Sequence, residues 1–153
     1  KMSLPPPKLN YVNSFVLYGH SVVTSNNNEA NPTTSKLPTL WQQFISRREQ
    51  EVPVFCVYWN YESDADGLYQ ATVGSTVDKT QGPSDSVRIK EGYYLVFKNR
   101  GPKPAAIIEI WQYIWCYFEN TSNSNYKRTF ITDFEQYNAD DAVTVYIGIQ
   151  KHG

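Results

Sequence analysis

Near the end of the chain, three polar side chains fall on alternate positions of the β-rich run Thr129 to Tyr137: Asp133, Glu135 and Tyr137. Successive side chains of a strand point to opposite faces, so these three share a face with Ile131, while Phe130, Thr132, Phe134 and Gln136 share the other. A carboxylate beside a phenol can do two kinds of chemistry. It can hold an organic cation against an electron-rich ring, or, with its proton affinity raised by burial, it can act as a general base or nucleophile with Tyr137 as its hydrogen-bonding partner. On the strand alone a third reading, a glutamate facing water, stays open beside the other two.

Rings that could complete such a site are plentiful: twelve Tyr, seven Phe and four Trp make up 15% of the chain. Tyr and Trp join an apolar body to a polar handle, so their excess suits a pocket for flat or cationic ligands as well as an ordinary core. Trp111 and Trp115 form an i, i+4 pair at helical spacing, and Tyr93 and Trp59, with Tyr58 beside it, lie in β-rich runs. For each of these rings, core packing is as good a reading as pocket lining. Glu109, two positions before Trp111, either reaches the cleft edge or faces water.

Other chemistries lack their residues. The formal net charge is -1, and Arg47 and Arg48 are offset by Glu49 and Glu51, so no basic excess exists to neutralise phosphates, and direct nucleic-acid binding is not expected. Cys56 and Cys116 lie in apolar runs without a nearby Cys or His, reading as small buried hydrophobes and not a zinc site. His20 and His152 are the only histidines; His20 reads as a satisfied or exposed strand residue. Neither a Gly-rich phosphate loop nor a Gly-x-Ser-x-Gly elbow occurs, and no cofactor is expected. No run approaches a membrane span and no signal peptide is visible, which predicts a soluble cytoplasmic protein.

The elements that must position these residues follow from periodicity. Lys1 before Met2 reads as an added residue, and Pro5 to Pro7 mark residues 1–10 as an extended lead-in outside the fold. Phe15 to Thr24 reads as a strand broken at Gly19, followed by a polar loop, Ser25 to Thr34. Leu37, Leu40, Trp41, Phe44 and Ile45 form a helical stripe, predicting about four turns with Ser35 as N-cap. Val54 to Tyr61 and Leu68 to Val77 read as an antiparallel hairpin around Asp64, Asp66 and Gly67. Beyond a polar linker, Val87 to Lys98 reads as a strand and Pro102 and Pro104 introduce a helix carrying Ile107, Trp111, Ile114, Trp115 and Phe118. Two more strands follow, Thr129 to Tyr137 and Val143 to Gln150.

Trp111 follows Trp41 by seventy residues in a similar helical setting. The fold expected is therefore α+β, a duplicated β-α-β-β unit (about 11–77 and 86–150) within one domain, 11–153. Its two helices would lie over one antiparallel sheet, with a cleft where the repeats meet.

The run Val87, Ile89, Gly92 to Phe97, Gly101, Pro102, Ile107, Trp111, Phe118, then Arg128, Asp133, Phe134, Glu135, Tyr137 and Val145 to Ile147, resembles the GyrI-like, AraC-type effector-binding domain, and most of all its stand-alone versions from integron gene cassettes. The likeness covers nearly the whole chain from about Tyr11. It implies a cleft for amphipathic, often cationic, drug-like molecules, walled by aromatics and one acid. On that footing the expected ligand-binding residues are Glu135, Tyr137, Trp111, Trp115, Tyr93, Trp59 and Glu109. The expected activity is binding without catalysis, as a sensor or sequestering protein, the alternative being a GyrI-like hydrolase using Glu135. Many relatives carry a DNA-binding module, but no basic helix-turn-helix is visible here, so any regulatory role is expected to run through a partner protein.

Overall fold

A computed structural model describes residues 4–45, 53–78, 84–119, 126–138 and 141–151. In chain order the elements are β1 (Lys8–Val12), β2 (Phe15–Ser25), α1 (Asn26–Glu29), α2 (Leu37–Ile45), β3 (Val54–Trp59), β4 (Leu68–Ser75), β5 (Asp85–Ile89), β6 (Gly92–Arg100), α3 (Ala105–Glu119), β7 (Tyr126–Tyr137) and β8 (Ala142–Lys151). All eight strands join one antiparallel sheet in the order β1-β6-β8-β7-β3-β4-β2-β5.

That order reveals the duplication. Pairing β1 with β5, β2 with β6, β3 with β7, β4 with β8 and α2 with α3 turns the list into its own reverse, so an approximate two-fold passes between β3 and β7 at the sheet centre. Each unit is β-β-α-β-β, one strand longer than expected. The extra strand comes from two differences. Lys8–Val12, partly within the expected lead-in, pairs with Gly92 to Val96, so β1 crosses to the other unit's sheet. The single strand expected from Val87 to Lys98 breaks at Lys90 and Glu91, ahead of Gly92 with φ +155, and β5 crosses the opposite way to pair with β2. The units are thus interlocked at both sheet edges.

Gly19 does not break its strand. It faces Gly74 across the β2–β4 ladder, where a Cβ would sit 1.9 Å from the Val73 carbonyl oxygen, so glycine here permits close backbone approach. The loop expected at Ser25 to Thr34 contains α1, capped by the Ser25 hydroxyl, which accepts from the Asn28 N–H at 3.0 Å. Ser35 is not the cap of α2. The Glu29 carboxylate accepts from the backbone N–H groups of Lys36 at 2.9 Å and Leu37 at 3.2 Å, placing a negative charge at the helix N-terminus. The rest of the expected four-turn helix, with Arg47 and Arg48, lies outside the described residues, as does His152.

Helix α2 packs on β2 and β4, and α3 packs on β6 and β8. Leu40 and Phe44 of α2 close a cluster with Val54, Cys56, Tyr58 and Val73, while Ile110 and Ile114 of α3 close one with Leu95, Phe97, Val145 and Ile147. A third cluster, with Leu17, Phe55, Val57 and Phe134, sits on the alternate positions of the central strands. Cys56 is fully buried as expected, whereas Cys116 is exposed, because its helix position turns away from the Ile110 and Ile114 stripe. His20 is half-buried with an Nε2 that lacks a hydrogen-bond partner among the described residues, so it is neither satisfied nor exposed.

Candidate functional site

Because each helix covers the outer strands of its own unit, the central pair β3–β7 forms a floor between them. Above it opens a cavity of about 800 Å³, walled by Leu37, Pro38 and Trp41 of α2 and by Ile107, Ile108, Trp111 and Trp115 of α3. Such a volume suits a drug-sized molecule. The floor supplies Tyr58, Glu135 and Tyr137, and Tyr61, Tyr69 and Arg128 also line the cavity.

The register explains what stands on the floor. Cys56 pairs with Glu135 at the centre of β3–β7, and each is followed two residues later by a tyrosine, Tyr58 and Tyr137, on the same face. Each tyrosine meets the tryptophan of the other unit's helix edge-on, Trp41 on Tyr137 at 4.9 Å and Trp111 on Tyr58 at 5.8 Å between centroids. The cage is therefore nearly two-fold symmetric, except that one unit places a carboxylate where the other places a thiol.

Glu135 is 2% exposed. Three neutral donors converge on its carboxylate, each at 2.7 Å: the Tyr58 hydroxyl and Trp111 indole N–H on Oε2, and the Tyr137 hydroxyl on Oε1. Burial raises its pKa above the ordinary carboxylate range, and the donors from Tyr137, Trp111 and Tyr58 oppose the rise by stabilising the anion. No ion pair is made by Glu135 among the described residues. Burial beside the anion also pushes the Tyr58 and Tyr137 phenols well above their ordinary value, so both remain donors at neutral pH.

Two residues earlier on the same strand, Asp133 is fully buried and differently served. It accepts from Arg128 Nη2 at 2.8 Å, from the Gly148 N–H at 2.9 Å and from the Tyr61 hydroxyl. Arg128 and Asp133 are separated by an odd number of residues and would lie on opposite faces of a regular strand. A bulge between them, with Phe130 at φ 52, turns Arg128 back to the cavity side, where its guanidinium lies 4.2 Å from the Phe130 ring centroid and 6.0 Å from that of Trp111.

Of the residues singled out from sequence, Glu135, Tyr137, Trp111 and Trp115 share the cavity, Trp115 at its exposed mouth. Three others lie elsewhere. Tyr93 is half-exposed on β6 and packs edge-on against Tyr11 at the sheet edge. Trp59 lies on the face opposite Tyr58, against the third cluster, with its indole N–H donating to Thr72 Oγ1 at 3.0 Å. Glu109 turns from the cavity and accepts from the Asn99 side-chain amide at 3.0 Å. Trp41, Tyr58, Tyr61 and Arg128 join the site without having been assigned to it. Trp41 carried a signal in its seventy-residue echo, Trp111; Tyr58 read equally as core or pocket, and Arg128 belongs to the run that carries the family resemblance. Among the described residues no group of His, Cys, Asp and Glu could hold a metal ion, and no helix is long and apolar enough to cross a membrane.

Comparisons with known proteins span most of the chain. The profile of the family described as integron-associated effector binding protein, Cass2, matches residues 8–149. YobU of Bacillus subtilis (strain 168), named as a candidate transcriptional regulator, is 30% identical over 134 residues, covering 76% of this chain and 81% of its own. Among solved structures, an integron cassette protein from the mobile metagenome of Vibrio cholerae superposes with a TM-score of 0.87 at 28% identity, covering 96% of this chain and 97% of its own. A structure bound to tetraphenylphosphonium has the same fold, with a TM-score of 0.71 at 15% identity and coverage of 94% and 93%.

Proposed function

The chain belongs to the integron-associated effector-binding family, and from that premise we propose that it is a binding module for amphipathic organic cations, acting as a sensor or sequestering protein and not as an enzyme. The observation that carries this reading is Glu135: a buried carboxylate held by three neutral donors and, among the described residues, in no ion pair, on the floor of an aromatic cavity. An anion in that position is costly unless a positive charge arrives to meet it. The tetraphenylphosphonium bound by a protein of the same fold is an occupant of the required kind.

The energies assign roles to the parts. A cation about 4 Å from Glu135 gains on the order of 4 kcal/mol at an effective dielectric near 20, much of it cancelled by desolvation. Burying about 300 Å² of ligand hydrocarbon contributes roughly 7 kcal/mol, and each well-placed ring about 0.5 to 2 kcal/mol. After the cost of association this leaves micromolar-range affinity. Apolar burial sets the strength and Glu135 selects the sign of charge.

Titration with tetraphenylphosphonium and with tetraphenylborate, similar in shape and opposite in charge, tests the proposal. The cation is expected to bind and the anion to be rejected, with Glu135→Gln weakening the cation roughly 10- to 100-fold, or about 1.4 to 2.7 kcal/mol. Equal affinity for the two ions would end this reading. The hydrolase alternative needs Glu135 to take a proton from a substrate or water, and the three donors leave it one lone pair, on Oε1, to do so. A panel of ester substrates that yields product only with Glu135 intact would revive it.

A further inference from the structure

Besides the carboxylates of Glu135 and Glu29, the cavity lining holds the guanidinium of Arg128, whose side chain is only 8% exposed. A guanidinium carries five N–H donors. Here one donates to Asp133, Nε has no partner, and Arg128 makes no other hydrogen bond among the described residues. Its plane is held over Phe130 and beside Trp111 by a bulge that exists where the chain reverses the face of residue 128. A nearly buried guanidinium with unfilled donors, opening on a cavity, calls for an acceptor.

We infer that Arg128 is a second polar subsite, and that the occupant is a dipolar amphipathic molecule whose cationic centre lies at Glu135 and whose carboxylate or carbonyl oxygen lies at Arg128. The inference rests on the cation reading of Glu135 and adds a requirement to it. Trp111 stands between the two subsites, donating to Glu135 and lying beside Arg128. Asp133 and Glu135 are two residues apart on one strand, so the subsites are separated by roughly 7 Å at 3.3 to 3.4 Å per residue. That spacing fits a cation and an acceptor on opposite ends of one aromatic ring. It also gives Arg128 a role in selection: beside a featureless cation its donors stay unfilled, whereas a dipolar ligand fills them.

Two probes isolate this requirement, tetraphenylphosphonium and (4-carboxyphenyl)triphenylphosphonium, which differ by one carboxylate. On the intact protein the carboxylated probe is expected to bind at least as tightly as its parent, despite having lost its net charge. Replacing the ion pair as a unit, Arg128→Met with Asp133→Asn, avoids stranding a buried charge. In that variant the affinity of the carboxylated probe relative to its parent should fall about tenfold or more. Should the double variant fail to fold by near-UV circular dichroism, Arg128→Lys keeps a cation for Asp133 but loses the fork, and the carboxylated probe should weaken several-fold relative to its parent. Equal responses of both probes, or none, would overturn the inference. Failure of the parent cation to bind the intact protein would instead overturn the reading of Glu135.

Discussion

Asp133 and Glu135 are two acids two residues apart on one strand, both buried, and the protein treats them in opposite ways. Asp133 has a cation of its own in Arg128, together with a backbone N–H and a phenol. Glu135 has three neutral donors and an open cavity. The first arrangement gives its carboxylate a counter-charge inside the protein; the second leaves a carboxylate without one, where a cationic guest can enter. Cys56 shows that the opening is not demanded by the fold. It occupies the position related to Glu135 by the approximate two-fold, is fully buried, and fills its place as a small hydrophobe.

If that contrast is right, removing each acid should have opposite consequences. Asp133→Ala strands Arg128 in a buried place and is expected to cost about 3 to 5 kcal/mol of stability, read as a lower urea midpoint. Glu135→Gln should leave stability within about 1 kcal/mol, because it removes a buried charge along with part of its hydrogen bonding. Similar costs for the two substitutions would mean that both acids are structural.

The pH dependence sharpens the contrast with a smaller effect. Burial raises the Glu135 pKa in the folded chain, so the folded state holds this proton more tightly than the unfolded one. The stability that follows is fully present below the unfolded carboxylate value and is lost as pH rises through the raised folded value. Cation binding needs the ionised form and moves the other way, strengthening as pH rises over the same window. Urea midpoints and tetraphenylphosphonium titrations across that window should therefore show opposite slopes for the intact protein, and Glu135→Gln should flatten both. A Glu135→Gln variant with the intact protein's slopes would place the responsible group elsewhere.

Much of this arrangement is legible in the sequence, and what is not has physical causes. Helical spacing exposes the stripe through Trp41 and its echo at Trp111, and strand alternation puts Asp133, Glu135 and Tyr137 on one face. Alternation cannot choose between Tyr58 and Trp59, because β3 reads Val-Phe-Cys-Val-Tyr-Trp and is apolar on both faces; a shift of one residue would exchange them. Arg128 is hidden for the opposite reason: period two assigns it to the far face, and only the bulge brings it back. The crossing of β1 and β5 is equally invisible, since each run fits an edge strand of either unit and the choice is made by which sheet edge lies nearest. Tyr93 illustrates the cost of that ambiguity, for its ring faces outward on the crossed pair.

The finest distinction lies within the Glu135 cage. Among the described residues Tyr137 is the only donor on Oε1, whereas Tyr58 shares Oε2 with Trp111. Removing the Tyr58 hydroxyl leaves each carboxylate oxygen with a partner, but removing that of Tyr137 leaves Oε1 with none, and the donor from Tyr137 is also the strongest of the three in opposing the rise of the Glu135 pKa. Both Tyr→Phe substitutions keep the ring, so cavity shape and the Trp41 and Trp111 contacts are preserved. A hydrogen bond of this kind is worth about 1 kcal/mol net, or somewhat under one pH unit at 1.36 kcal/mol per unit. The midpoint of the pH profile for cation binding is accordingly expected to move upward in both variants, and further for Tyr137→Phe than for Tyr58→Phe. The reverse order would show that the two-fold related tyrosines exchange roles in solution, with Trp111 released from Glu135.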